Sequence, residues 1–220
     1  AGRRGEILGI AGLVGAGRSE LARAIFGLDR LDGGQVLVEG RPVAIRGPRD
    51  ALRAGIVLVP EDRRLEGLIM IQSLAFNLAL PWTRLWCRGI VPDLRLRRAM
   101  VDRAIDGFHI KARRPEDCIA TLSGGNQQKA LVGRWMERKP KVLILDDPTR
   151  GVDVGAREEM FAILSALVED GMAVVLISSD LAEVMNLSHR IAMYREGRIL
   201  ETVEAGAITD LHTITLTRGR

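Results

Sequence analysis

Three short segments hold side chains suited to phosphate chemistry. The first is Gly12, Leu13, Val14, Gly15, Ala16, Gly17, Arg18 and Ser19, followed by Glu20. It has the G-x-x-x-x-G-K-[ST] frame of a phosphate-binding loop, with Arg18 where a lysine normally stands. Glycines let successive backbone N–H groups turn inward around phosphate oxygens, and a helix N-terminus adds its positive end. Ser19 supplies a hydroxyl suited to Mg²⁺. A guanidinium is wider than an ammonium and planar, so Arg18 predicts binding with impaired turnover. A plain glycine-rich turn is the bland alternative.

The second segment is Lys141 to Asp147 (KVLILDD), continued by Pro148-Thr149-Arg150-Gly151-Val152-Asp153. An apolar strand ending in an acid is a way to hold Mg²⁺ beside such a loop, and Asp146 fits that role. The next position is where a carboxylate would polarise an attacking water. Asp147 is one methylene shorter than a glutamate and stops about 1.5 Å short. Misplacement on that scale costs roughly a hundredfold in rate. Taken alone, the pair also reads as two acids capping a strand. The third segment is Leu122, Ser123, Gly124, Gly125, Asn126 and Gln127, leading into Gln128 and Lys129. Ser123 is a natural helix cap, and the glycines admit close approach by a ligand, so this is a second anion-shaped helix start.

These segments need a framework. Ile7 to Ala11, Gly55 to Val59, Val142 to Leu145 and Ala173 to Ile177 are short apolar runs, as buried strands require. Gln35 to Glu39 alternates like a strand. Helical spacing follows the first loop from Ser19 to Phe26, and another helix runs from Gly155 to Glu169. Strands alternating with helices predict a parallel α/β sheet. From Leu65 to Arg138 the chain reads as mostly helical, with helices at Ser73 to Leu80, Arg95 to Phe108 and Gly124 to Arg138. That stretch is expected to be an inserted subdomain.

With 220 residues, 47% hydrophobic and 27% charged, disorder and fibre are excluded. No apolar run approaches the roughly 20 residues of a membrane helix. Cys87 and Cys118 have no metal-site spacing, which favours a reducing compartment. The net charge is +4, but Arg84 to Arg114 holds nine basic and three acidic residues. Such a patch suits lipid headgroups, nucleic acid or an acidic partner, or is simply a solvated face. The chain opens without Met just before a strand, and is read as a piece of a longer polypeptide.

Together the three segments resemble the nucleotide-binding subunits of ATP-binding cassette (ABC) transporters, whose signature is LSGG. The resemblance runs from about Gly5 to Val203. The wording GLVGAGRSEL, VPEDRRLEGL, LSGGNQQK, LILDDPTRGVDVGA and ISSDLAEV is similar to the C-terminal cassette of double-cassette carbohydrate importers of the ribose, galactose and xylose type. The resemblance implies an α/β P-loop NTPase with a mainly parallel sheet and an inserted α-helical subdomain carrying the signature. It places the core at 1–64 and 140–204, the helical subdomain at 65–139 and a tail at 205–220. ATP and Mg²⁺ are the implied cofactors. Implied partners are the N-terminal cassette or a second copy, transmembrane permease subunits and, indirectly, a periplasmic sugar-binding protein. No nucleic acid is expected. The implied place is the cytoplasmic face of the bacterial inner membrane.

Against the family pattern, Arg18 replaces lysine. Glu61 stands where a glutamine joins the nucleotide to the helical subdomain, and is grouped with Ser19 and Asp146 as a metal ligand. Asp147 replaces the catalytic glutamate, and Ser179 replaces the switch histidine. Asp153 matches the aspartate of the loop by which two cassettes communicate; a helix cap is the alternative. His109, His189 and His212 fall outside every motif. Losses at Arg18, Asp147 and Ser179 beside an undamaged signature imply division of labour. This chain's own site is expected to be weak or silent, while Leu122 to Gln127 complete a partner's ATP site. Two other readings stay open: a soluble ABC ATPase acting on nucleic acid or ribosomes, and a non-hydrolysing regulatory module. The segment Glu61 to Phe76 resembles the surface that receives the permease, and Trp82 and Trp86 are expected to pack.

Overall fold

A computed structural model describes residues 1–13, 15–89 and 91–208; Val14 and the tail beyond 208 lie outside the described residues. In chain order the first elements are β1 (Glu6–Ala11), α1 (Arg18–Phe26), β2 (Val36–Val38), β3 (Arg41–Val43), α2 (Pro48–Ala54) and β4 (Ile56–Val59). Then come α3 (Leu74–Ala79), α4 (Thr83–Trp86), β5 (Cys87–Arg88), β6 (Val91–Pro92), α5 (Leu94–Gly107) and α6 (Gly124–Gly133). The last are β7 (Val142–Asp146), α7 (Val154–Glu169), β8 (Ala173–Ile177), α8 (Leu181–Leu187), β9 (Arg190–Arg195) and β10 (Arg198–Glu204).

The chain divides into two units. The first comprises Ala1–Leu58, Pro140–Pro148 and Leu164–Arg220, and the second comprises Val59–Lys139 and Thr149–Ile163. The sequence places its boundaries at 64/65 and 139/140. The second unit also takes in residues 59–64 and 149–163, where Arg63 bonds to Gln127 and Glu159 to Lys129.

The first unit is built on a six-stranded sheet in the order β10-β9-β1-β8-β7-β4. β1 pairs parallel with β8 and β9, β7 pairs parallel with β8, and β10 runs antiparallel to its neighbour β9. All six residues of β1 are buried, which is why its apolar run does not alternate. Glu6 is buried there because Arg190 takes it in a two-pronged ion pair, with Nε 2.5 Å from Oε1, and Arg3 N donates to its Oε2 at 2.6 Å. Ile10, Phe26, Ile56, Leu58, Ile144 and Ile177 form the core of this unit. In the parallel register Ile10 faces Ile177 and Ile177 faces Asp146. The loops after β1, β7 and β8 therefore leave the sheet at one level, at the carboxyl ends of the strands, where α/β sheets place ligands.

The second unit is helical, with one correction to the sequence reading. Cys87–Arg88 pairs antiparallel with Val91–Pro92, β5 with β6, inside the stretch read as helical. Gly89 takes φ +65 between them and Pro92 cannot continue a helix, so both residues favour the strand pair. Helix α6 also stops at Gly133, short of Arg138. Trp82 packs edge-on against Trp135, with centroids 5.6 Å apart, while its indole N–H donates to the Arg134 carbonyl at 2.5 Å. Trp86 carries the Arg97 guanidinium over its ring, so both tryptophans are packing residues.

Candidate functional site

The loop between β1 and α1 is bent by Gly17, which caps α1 at φ 95 without any side-chain hydrogen bond. Only glycine takes that conformation at no cost, and it leaves the leading N–H groups of α1 to an anion or water. Gly12 is required for a different reason. A Cβ there would lie 2.3 Å from the Tyr194 carbonyl oxygen, because the loop runs against the β9 backbone. Leu13, Gly15 and Ala16 complete the described part of the turn, which Ala16 N closes by donating to Leu13 O at 3.1 Å. Glu20 lies in the first turn of α1, where a carboxylate suits the helix dipole.

Arg18 does not project into solvent. It is buried, and its Nη1 donates to the Ser178 carbonyl at 2.5 Å, just past the end of β8. Asp146, the last residue of β7, is also buried. Burial pushes its carboxyl above the ordinary aspartate range, and a hydrogen bond with Ser19 partly offsets this. Its Oδ1 has no hydrogen-bond partner among the described residues. A buried carboxylate oxygen without a donor, next to a serine hydroxyl, is suited to a hard cation. Among the described residues no group of three His, Cys, Asp or Glu side chains is arranged for a metal. One carboxylate plus one hydroxyl is nevertheless a sufficient protein share for Mg²⁺, which keeps waters and phosphate oxygens as its other ligands. Ser19 and Asp146 fit that ion.

Asp147 follows in the left-handed region, at φ 42. Its N–H donates to the Ile177 carbonyl at 2.8 Å. Its Oδ1 accepts two bonds from one residue, Ser179 N at 2.6 Å and Ser179 Oγ at 2.9 Å. Ser178 in turn donates its hydroxyl to the buried Glu183 carboxylate at 2.5 Å. Three of the four positions that depart from the ABC pattern meet at the Ser178–Ser179 turn: Arg18 through the Ser178 carbonyl, and Asp147 through Ser179. Sequence reasoning found these residues but missed Ser178 and Glu183 as their anchor. A backbone carbonyl acceptor leaves no mark in side-chain types, and ISSD gave no sign of it.

The remaining candidates belong to the second unit. Ser123 caps α6: its Oγ accepts from Asn126 N at 3.4 Å and from Asn126 Nδ2 at 2.9 Å. Asn126 Oδ1 accepts from Lys111 N, and the buried Gln127 amide donates to the Leu122 carbonyl at 2.9 Å. Gly125 packs so closely on α7 that a Cβ would lie 2.3 Å from Ala156 Cβ. Asp153 Oδ1 accepts from Ala156 N at 3.0 Å, so it caps α7. The Glu61 carboxylate forms an ion pair with Arg150 in this unit. Ser19 and Asp146 are brought together in the first unit. The structure adds Arg63, whose guanidinium lies against Gly124 and Gly151; no sequence feature separates it from Arg64 beside it.

Residues 2–150 match the family model described as ABC transporter. The chain is 45% identical over 221 residues to "Ribose import ATP-binding protein RbsA 2" of Streptomyces avermitilis, covering 99% of this chain and 43% of that protein. It is likewise 45% identical to "Putative ribose/galactose/methyl galactoside import ATP-binding protein 3" of Agrobacterium fabrum, covering 99% of this chain and 44% of that protein. The chain therefore spans less than half the length of these relatives. Its fold matches the ATP-binding cassette MJ0796 in a dimeric post-hydrolysis state bound to ADP and Pi, with a TM-score of 0.76 at 23% identity over 93% of this chain and 88% of that one. The fold is that of a P-loop NTPase of the ABC cassette type.

Proposed function

This chain belongs to the ABC transporter family, and from that premise we propose that it is one of two cassettes in the ATPase of a bacterial carbohydrate importer. Its own phosphate-binding loop makes a weak or silent ATP site, and its signature completes the ATP site of the partner cassette. The partner is an N-terminal cassette of the same polypeptide or a second copy. Permease subunits receive the work, and a periplasmic sugar-binding protein delivers the sugar. The sugar-import names of relatives 45% identical over nearly the whole chain support this reading. No described helix is long and apolar enough to cross a membrane. The cassette is assigned to the cytoplasmic face of the inner membrane, attached through the permease. Within it, the first unit acts as the core and the second as the signature-bearing subdomain.

One observation carries the division of labour: Asp147 is bonded to Ser179 and Arg18 to the adjoining Ser178 carbonyl, while the signature is intact. Ser19 and Asp146 would hold Mg²⁺, which supplies charge neutralisation to phosphate oxygens when bound. Arg18 can reach a phosphate only by giving up its buried bond to the Ser178 carbonyl. Asp147 Oδ1 already accepts two Ser179 donors, which occupy the oxygen that an attacking water would need. Ser179 has no titratable group with which to bridge a γ-phosphate and that carboxylate. In the second unit, Ser123 Oγ and the N-terminal N–H groups of α6 form an anion-binding end.

In the complete transporter, Ser123→Arg is expected to abolish ATP hydrolysis, because a bulky cation blocks the α6 start. Asp147→Asn is expected to change the rate by less than about twofold, against the roughly hundredfold loss expected if its carboxylate positioned the water. The opposite ranking overturns the proposal.

A further inference from the structure

We propose that Arg63 is a positioning residue that fastens the start of the signature helix to the Arg150–Gly151 turn. The signature and the loop leading to Asp153 then meet the partner cassette as one rigid surface. This rests on the reading that the signature serves the partner's ATP.

Arg63 opens a short π-helical turn, Arg63–Gly67, whose cap is Asp62. Asp62 Oδ1 accepts from Arg64 N at 2.8 Å and Leu65 N at 3.0 Å, which fixes the backbone that launches the Arg63 side chain. The guanidinium bridges two segments. Nε donates to Gln127 Oε1 at 3.3 Å, and Nη1 donates to the Arg150 carbonyl at 2.9 Å. Gln127 passes the connection on: it is buried, and its Nε2 holds the carbonyls of Leu122 at 2.9 Å and Ile119 at 3.3 Å. The residues before, within and after the signature's start are therefore tied to one planar cation.

Two glycines make room for it. A Cβ on Gly124 would stand 2.9 Å from Arg63 Nη2 and 3.2 Å from the Gly151 carbonyl, and one on Gly151 would stand 3.9 Å from Nη2. The glycines that admit a ligand thus also admit the brace. Arg150 is held from its other end as well, since its own guanidinium pairs with Glu61. Glu61, Arg63 and Arg150 therefore form one connected group with Gln127. Arginine suits the position because its donors leave one plane in fixed directions, whereas an ammonium on a flexible stem has no rigid fork to hold both partners in one orientation. The positive charge also lies at the N-terminal end of α6, where it adds to the helix dipole's attraction for an anion.

The test uses the complete transporter and compares Arg63→Ala, Arg63→Lys and Ser123→Arg, reading kcat for ATP hydrolysis, ATP affinity at the partner's phosphate-binding loop, and melting temperature. A misplaced signature lowers turnover without touching the loop that first takes up ATP. Arg63→Ala is expected to lower kcat about tenfold to a hundredfold, with ATP affinity changed less than about twofold and melting temperature within about 3 °C. Arg63→Lys is expected to fall with it, because the fork rather than the charge does the positioning. If Arg63→Ala fails to fold, Arg63→Lys carries the test by the same criteria. Full turnover in Arg63→Lys overturns the proposal. Unchanged kcat in Arg63→Ala beside a dead Ser123→Arg also overturns it, and leaves the signature reading standing. Full turnover in Ser123→Arg removes the signature reading, and this proposal with it.

Discussion

Asp146 is a charge held at a cost in the nucleotide-free chain. Burial raises its pKa, and neither the Ser19 bond nor the nearby Arg18 charge restores it. The folded chain therefore takes up this proton more readily than the unfolded chain does. Stability is greatest below the unfolded aspartate pKa, declines as pH rises towards the folded value, and carries the full penalty at neutral pH. Asp146→Asn removes the charge and retains an acceptor for Ser19. Calorimetry at pH 7 without nucleotide should find the variant about 2–4 °C more stable, corresponding to about 1 kcal/mol. Near pH 3 the gain should vanish, while Mg²⁺-dependent nucleotide binding is lost at every pH. A variant less stable than the parent at pH 7 would show that the buried charge is not a cost. Side-chain types were enough to single out Asp146 and Ser19 from sequence. They were not enough for Arg18, whose partner is a backbone oxygen at Ser178, nor for the contact between Asp147 and Ser179 across 32 positions of chain.

Helix α6 is anchored by a buried lysine. Lys129 is almost fully enclosed, and its Nζ donates to the His109 carbonyl at 2.7 Å and to Glu159 Oε2 on α7 at 2.8 Å. Lys111 reaches the other Glu159 oxygen at 3.0 Å. Hydrogen bonds from Lys129 first, then Lys111, hold the Glu159 carboxyl at about 2. Its pKa is depressed on folding, so its contribution is complete above the ordinary 4.5 and fades as pH falls towards 2. The two partners are not equivalent. Losing Glu159 strands a buried ammonium, whereas losing Lys129 leaves a carboxylate that is 43% exposed and still paired with Lys111. Urea unfolding at pH 7 should find Glu159→Gln destabilising by about 2–3 kcal/mol and Lys129→Met by about 1 kcal/mol or less; the reverse order would refute the asymmetry. The start of α6 was readable from Ser123 and two glycines, but its end at Gly133 was not, because the following residues favour helix as much as those before them. β9 and β10 went unread for a related reason. β10 is a mostly exposed edge strand, and its charged, mixed sequence lacks the apolar run that marks β1, β7 and β8.

Under the proposed division of labour, a cassette that lends its signature and keeps a silent site of its own is half of a machine. The relatives it resembles are more than twice its length, and the chain covers 43% and 44% of them. In ATP hydrolysis a phosphate-binding loop, a metal-holding acid, a water-polarising group and a second anion-binding helix end act together, and on the proposed pairing one chain supplies these to two different nucleotides. The purified chain should therefore bind Mg-ATP weakly, through Ser19, Asp146 and the uncapped start of α1, without turning it over. Steady-state hydrolysis is expected to match an Asp146→Asn control, at least about a hundredfold below the assembled transporter, the loss that follows from misplaced groups. A nucleotide titration beside it separates a site that binds and does not react from one that never fills. Binding without turnover supports the division of labour. Turnover clearly above the control would mean that Asp147, despite its two bonds to Ser179, still polarises water. The joined Arg18, Asp147 and Ser179 would then be a working variant of the site rather than a retired one.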